Sequence, residues 1–475
     1  MRAAVTGGTE ENAGQGHLTG FGSFGYRTYV LLTLTLVYTL NFVDRILISV
    51  VGGPIIEEFQ LTNFQFGILS GIGFALFYTL LGIPIASFSE RHNRVRIIGV
   101  CVILWSIATV LCGFTVGFIT LLLARLAVGV GEAGCTPPAN SLISDYYKPL
   151  SRPTALGIYA MGITLGGVLA QVFGGWIVQN FTWREAFIYV GAPGILVGIV
   201  VLMTIKEPPR GFSEPPGANI VDKLPFRDAI KEIFSKKTFW AMSAGATLAA
   251  FAGYALVGFQ PLYIQYAYGF SAGETAIRFM AILGLMGTLG AFMGGFLTEK
   301  ATRFSPTAGT WVPGFALLLC APVYAAGFLA EAGIAVMFGL FLLANLLQYF
   351  YLSAQYNIAT AVVSVRARAT SVAVLLFIAN LIGYGAGPPV IGSIADFLTT
   401  QAINSSAYAD VLNNRCSVSV ATAGEELAAA CREVKAIGIR QACAIATSIF
   451  GLAGICFLIS GRTFVKDRWS NAPAT

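Results

Sequence analysis

Twelve long apolar stretches run along this chain, at approximately 27–55, 63–88, 95–115, 117–145, 153–180, 184–205, 238–268, 273–298, 310–331, 334–363, 368–398 and 437–461. Each is long enough to cross a bilayer core of about 30 Å, which takes roughly 20 apolar residues wound as a helix. None alternates polar and apolar positions with period two, as the strands of a membrane barrel do. The pattern therefore predicts an all-α membrane protein of twelve transmembrane helices. Composition agrees: 56% of the 475 residues are hydrophobic and 11% are charged, far from the balance of a soluble protein.

The pattern also repeats. After span 2 the chain reads ASFSERHNR (86–94) and after span 8 GFLTEKATR (295–303), both small-x-x-x-Glu-basic-x-x-Arg. Arg152-Pro-Thr-Ala155 before span 5 is echoed by Arg366-Ala-Arg-Ala369 before span 11. The near-equal offsets predict two pseudo-symmetric bundles of six helices, at 26–205 and 238–463. Between them, 206–237 opens with the breaker-rich EPPRGFSEPPGAN and then sets Leu224, Phe226, Ile230, Ile233 and Phe234 among charges. That spacing predicts an amphipathic helix at the headgroup layer, with a plain tether as the alternative. Residues 1–25, Gly-rich and polar without the marks of a cleavable signal, are expected to be a disordered cytoplasmic tail, and 464–475 a second one.

Basic residues crowd the even-numbered connections: Arg91, Arg94 and Arg96; Lys148 and Arg152; seven between Lys206 and Lys237; Lys300 and Arg303; Arg366 and Arg368. By the positive-inside rule both termini are cytoplasmic, in what is expected to be a bacterial plasma membrane. The formal charge of +6 reflects this loop bias and calls for no nucleic acid. Six of the eight cysteines fall within predicted spans, where they read as small buried hydrophobes. Cys416 and Cys431 share the long 399–436 outer connection, where a disulfide is one of two open readings.

Gly129, Gly131 and Gly134 carry the G-x-G-x-x-G spacing of a dinucleotide loop, yet what precedes them is a membrane span rather than a strand. Small residues there let neighbouring helices approach in lipid. No Gly-Lys dipeptide offers a phosphate loop, and His17 and His92 are too few for a histidine metal cluster. Neither an enzyme nor a cofactor or metal is expected, apart from a proton as coupling ion.

Four ionisable residues lie in mid-span: Asp44 and Arg45 on span 1, Arg125 and Glu132 on span 4. Burying a charge in the bilayer costs from ~2.5 kcal/mol upward, so such groups face partners or a water-filled chamber. Their formal charges cancel. From depth along the helices, at about 1.5 Å per residue, Asp44 pairs with Arg125 and Arg45 with Glu132. A fixed network that merely orients the two spans is the alternative to a working site. The second half carries amides and phenols instead: Asn345, Gln348, Gln355 and Tyr356 on span 10, Asn380 and Tyr384 on span 11. They are candidate substrate contacts, with interhelical hydrogen bonding as the competing reading.

Arg125-x-x-x-Gly129-x-Gly131-x-Ala133 resembles the fourth-span motif of the major facilitator superfamily, and Ala86-x-x-x-Glu90-Arg91-x-x-Arg94 its loop 2–3 motif, with Ala86, Glu90 and Asn93 departing from the usual pattern. Asn41-x-x-Asp44-Arg45 together with Gly131-Glu132-Ala133 resembles the Spinster family. The resemblance implies a monomeric secondary transporter of a lysophospholipid or sphingolipid-like amphiphile, working by alternating access with a protonatable Glu132 and a gating role for Glu90, Arg91 and Arg94. A superfamily exporter of small organic anions, sugars or drugs, and a lipid receptor without transport, are the other readings. It also implies that spans 5 and 8 meet across the two halves, which would make the ladder of Gly162, Gly166, Ala170 and Gly174 and the stripe of Gly287, Ala291 and Gly295 sliding surfaces.

Overall fold

A computed structural model of the chain describes residues 20–89, 91–213, 225–330, 333–364, 366–406, 409, 412, 416 and 425–469. Among these, twelve helices are long and apolar enough to cross a membrane. Spans 1–6 are Phe24–Val50, Asn63–Gly82, Arg94–Cys112, Phe118–Tyr146, Thr154–Asn180 and Trp183–Thr204. Spans 7–12 are Lys237–Tyr268, Ala272–Thr302, Ala308–Leu329, Ile334–Ala361, Arg368–Asn404 and Glu426–Asp467. No strand occurs among the described residues, as expected where backbone groups must be satisfied within each segment. Residues 1–19 and Leu224 lie outside the described residues. Phe21, by contrast, is seated: its amide donates to the Tyr146 carbonyl at 3.1 Å, and its ring packs edge-on against Tyr146 and Phe212.

Several helices are broken where the sequence reads as continuous. Span 1 stops at Val50 and is followed by a short helix, Gly52–Phe59, that ends in Gln60 at φ 52°. Span 2 kinks at Gly71. In span 4, Pro137 and Pro138 lack the amides that would carry the ladder back to the preceding turn, and the helix restarts at Thr136 after ending at Glu132. Spans 5, 8 and 11 each widen into a π-helical turn, at Ala170–Gly174, Ala276–Met280 and Ala379–Tyr384. The first and last of these begin 209 residues apart, the offset of the Ala86 and Gly295 loops, so the repeat extends to local winding.

The chain packs as two compact units: Met1–Leu47, Leu76–Ala170 and Arg184–Asp222 in one, Ile48–Ala75, Gln171–Trp183 and Lys223–Thr475 in the other. The boundaries fall beside the breaks in spans 1, 2 and 5, so the ends of those spans remote from the chain termini go with the second unit.

The glycine ladders do different work from what their resemblance implied. A Cβ at Gly162 would lie 3.1 Å from the Thr35 carbonyl, and one at Gly166 2.5 Å from that of Thr39: this ladder seats span 5 on span 1. On span 8, Gly287 of the stripe faces Tyr349, while Ala291 and Gly295 meet Ser353; the neighbouring Gly290 and Gly294 face the Leu346 carbonyl and Phe350, so this side seats span 8 on span 10. The first packing lies inside the first unit and the second inside the second, with close backbone approach replacing the hydrophobic effect. Spans 5 and 8 do meet, but at Gly175, Gly273 and Ala276 near the ends remote from the termini.

The helix of span 12 runs through Glu425–Asp467, 43 residues. At about 1.5 Å per residue that is roughly 65 Å, twice a bilayer core, so its first turns project. There Cys416 and Cys431 form a disulfide, Cα atoms 5.6 Å apart, packed with Ile403, Leu412 and Val434. The linker helix covers Phe226–Phe234, with Ala229 and Ile233 buried and Phe226 and Phe234 exposed. Its Glu232 accepts from the Ser364 hydroxyl at 2.9 Å.

Candidate functional site

The four mid-span ionisable residues converge within the first unit. Asp44, Arg125 and Glu132 are at most 1% exposed, and the Arg45 side chain is 8% exposed. Arg45 Nε donates to Glu132 Oε2 at 2.8 Å, and Arg125 Nη1 stands 3.6 Å from Asp44 Oδ1. These are the pairs that helix depth predicted. Arg125 and Glu132 lie seven residues apart and so share a face of span 4. Gly131 between them lets span 3 close in, since a Cβ there would fall 2.6 Å from that of Trp105. The glycine spacing that mimics a dinucleotide loop is thus a helix-packing device.

The two pairs are held differently. The Arg45 guanidinium is flanked by rings, 4.2 Å from the Tyr78 centroid and 4.9 Å from that of Phe42, an arrangement that stabilises a cation by its quadrupole. Asp44 has Thr109 and Glu132 as further neighbours. Asn41, one turn before Asp44 and Arg45, is 1% exposed, and its side-chain amide has no hydrogen-bond partner among the described residues. Asn41, Tyr78 and Thr109 escape a search for charges; the signal for Asn41 is its position one helical turn from an Asp-Arg dipeptide.

In loop 2–3, Glu90 lies outside the described residues and Arg91 is exposed. Arg94 is 1% exposed and draws three segments of the first unit together. It reaches Ser141 at 2.8 Å, Asp145, Glu207 at 2.6 Å and the Pro208 carbonyl at 3.2 Å. Asn93 caps span 3 by accepting from the Arg96 amide at 2.8 Å, which explains an asparagine where the superfamily motif has glycine. The repeat partner Arg303 stays exposed and pairs with Glu299 at 3.1 Å. Asp145 and Glu207, which sequence inspection passed over, are acids at the ends of spans facing a basic loop.

The candidates of the second half belong to the second unit. Asn345 donates to the Leu283 carbonyl at 2.6 Å, tying span 10 to span 8 as the competing reading expected. Gln348 and Gln355 are buried and Tyr356 is 38% exposed. Asn380 is half-buried in the π-helical turn of span 11, where Tyr384 stacks on Tyr254 at 4.1 Å. Among the described residues, no group of three or more His, Cys, Asp or Glu side chains is placed to hold a metal.

Comparison with known proteins puts these features in a family. The profile of the Major Facilitator Superfamily matches residues 34–388. An MFS-type efflux pump of Mycolicibacterium smegmatis is 30% identical over 77% of this chain and 84% of its own. A probable sphingolipid transporter, spinster homolog 1 of Arabidopsis thaliana, is 37% identical over 34% of this chain and 33% of its own. A crystal structure of a bacterial homolog to the human lysosomal transporter Spinster, inward-facing and unoccupied, superposes with a TM-score of 0.88 at 44% identity, covering 95% of this chain and all of that one.

Proposed function

The chain belongs to the major facilitator superfamily and, within it, to the Spinster family; from that premise we propose that it is a secondary transporter, not an enzyme, carrying a lysophospholipid- or sphingolipid-like amphiphile by alternating access with a proton as coupling ion. The observation that supports this most is the Arg45–Glu132 bond buried in mid-span. An anionic headgroup competes with a carboxylate for a guanidinium, since both offer bidentate oxygens to the same fork. Once Arg45 turns to the headgroup, Glu132 is left without its counter-charge in an apolar setting, where the neutral, proton-bearing form is favoured. Proton uptake is then tied to conformation. Asn41, buried with its side-chain amide unpartnered among the described residues, offers that amide to the same headgroup. The crowding of Lys and Arg in the even-numbered connections supports cytoplasmic termini, and the proposal takes the protein as a monomer of a bacterial inner membrane.

Uptake of labelled lysophospholipid into proteoliposomes, with and without an imposed pH gradient, tests the proposal. Gradient-stimulated uptake is expected, and Glu132→Gln abolishes the stimulation. Full gradient-driven uptake by that variant refutes the coupling role; transport of small polar solutes only refutes the lipid substrate; binding without flux makes the chain a receptor. The similarity to the mycobacterial efflux pump favours a second reading, export of a small hydrophobic compound, which the same vesicles loaded with a fluorescent drug distinguish.

A further inference from the structure

We propose that Asp396 is a releasable latch that bolts the far end of span 2 to span 11, so that the face remote from the chain termini opens only when this carboxylate lets go. Asp396 Oδ1 accepts from the Asn63 amide and from Asn63 Nδ2, each at 2.9 Å, and Oδ2 accepts from the Phe64 amide at 2.9 Å. Asn63 and Phe64 open the helix Asn63–Ser70. Their amides have no acceptor within the helix and lie at the positive end of its dipole. The local sequence satisfies only the amides on either side. Thr62 donates to Gln65 Oε1 at 3.0 Å, and Gln65 donates to Thr62 Oγ1 at 3.2 Å. The two donors that this capping box leaves over are taken by a residue some 330 positions away, on a span of the other half.

The surroundings make those bonds the directional element of the contact. A Cβ at Gly392, one turn before Asp396, would fall 2.3 Å from the Asn63 carbonyl. One at Gly67 would fall 2.4 Å from that of Pro388, and one at Gly71 2.9 Å from that of Gly385. Backbone lies on backbone at these three glycines, and the Phe74 ring meets that of Tyr384 at 5.7 Å further along the crossing. The other crossing on this face, between spans 5 and 8, is also lined by glycine, at Gly175 and Gly273. Span 8, however, caps its own first turn through Ser271 and Glu274. The first crossing is thus bolted by a carboxylate from the opposite span, whereas the capping carboxylate at the second is span 8's own. Gly71 and the π-helical turn at Ala170–Gly174 lie beside the boundaries where the ends of spans 2 and 5 leave the first unit, which supplies the hinges that release would use.

The inference needs the transporter reading only for its purpose, and the test is made without substrate, so its failure is separate from a failure of that reading. Hydrogen–deuterium exchange of the full chain in lipid nanodiscs is compared with Asp396→Ala. The expected result is exchange faster by on the order of 10-fold in peptides covering 385–396 and, without any bond to Asp396, in 171–183 and 271–281, because loss of charge-assisted bonds raises the open population. Acceleration confined to residues 63–65 makes Asp396 a local helix cap and overturns the latch, as does unchanged exchange. Should Asp396→Ala fail to fold, Asn63→Asp, which sets two carboxylates face to face, gives the same acceleration, and adding Asp396→Asn reverses it; no reversal overturns the proposal.

Discussion

Breaking the Arg45–Glu132 pair tests whether mid-span charge is held by mutual compensation. At the observed 2.8 Å between Nε and Oε2, Coulomb attraction at an effective dielectric near 20 is about 6 kcal/mol. For Arg125 and Asp44 at 3.6 Å it is about 5 kcal/mol. Most of this offsets the desolvation of four charges, so deleting one partner exposes the uncompensated cost of the other, typically about 3–5 kcal/mol. Glu132→Gln keeps the side-chain volume but leaves the cluster at +1, and Arg45→Gln leaves it at −1. Either change is expected to lower the thermal midpoint of the purified protein by roughly 6–20 °C, if the first unit responds as a domain of its size does. The double substitution restores neutrality and is expected to recover most of the loss. The assay is intrinsic tryptophan fluorescence on heating in detergent, run as a double-mutant cycle. Effects that add to within about 0.5 kcal/mol, the range for sites that do not communicate, refute mutual compensation.

Two further outcomes are expected from the packing. Arg94→Ala leaves Asp145 and Glu207 facing each other without the guanidinium between them, and is expected to cost about 3–5 kcal/mol, read as a lower midpoint, while Arg303→Ala at the exposed repeat position changes it by less than about 1 kcal/mol. Gly290→Ala, whose methyl would sit 2.1 Å from the Leu346 carbonyl, is expected to loosen spans 8 and 10 and lower the midpoint. Gly339→Ala, with nothing within 4 Å of the new methyl, raises helix stability by about 0.5–1 kcal/mol.

Much of the site was legible because membrane burial makes charge rare. In a chain where apolar residues fill every span, Asp44, Arg45, Arg125 and Glu132 stand out, and helical rise alone pairs them by depth. Gln348, Gln355 and Tyr384 gave no comparable signal, since an amide or phenol in a span serves interhelical bonding as readily as a ligand. Asn345, committed to the Leu283 carbonyl, illustrates the ambiguity. Asp396 was missed because it lies near the end of its span, where a carboxylate is cheap and unremarked.

Hydropathy and length alone determine twelve helices, since lipid leaves the backbone no other way to bond across so thick an apolar layer. Repeated loop motifs add the division into two groups of six. Which helix each glycine stripe meets was decided only by tertiary packing: the stripes of spans 5 and 8 look alike in sequence, yet seat against spans 1 and 10. A stripe of small residues states that some backbone will come close and carries no label for whose. The same holds for Asp396, whose two acceptor oxygens suit any helix start. Only the folded chain brings to it a helix start with two amides left over.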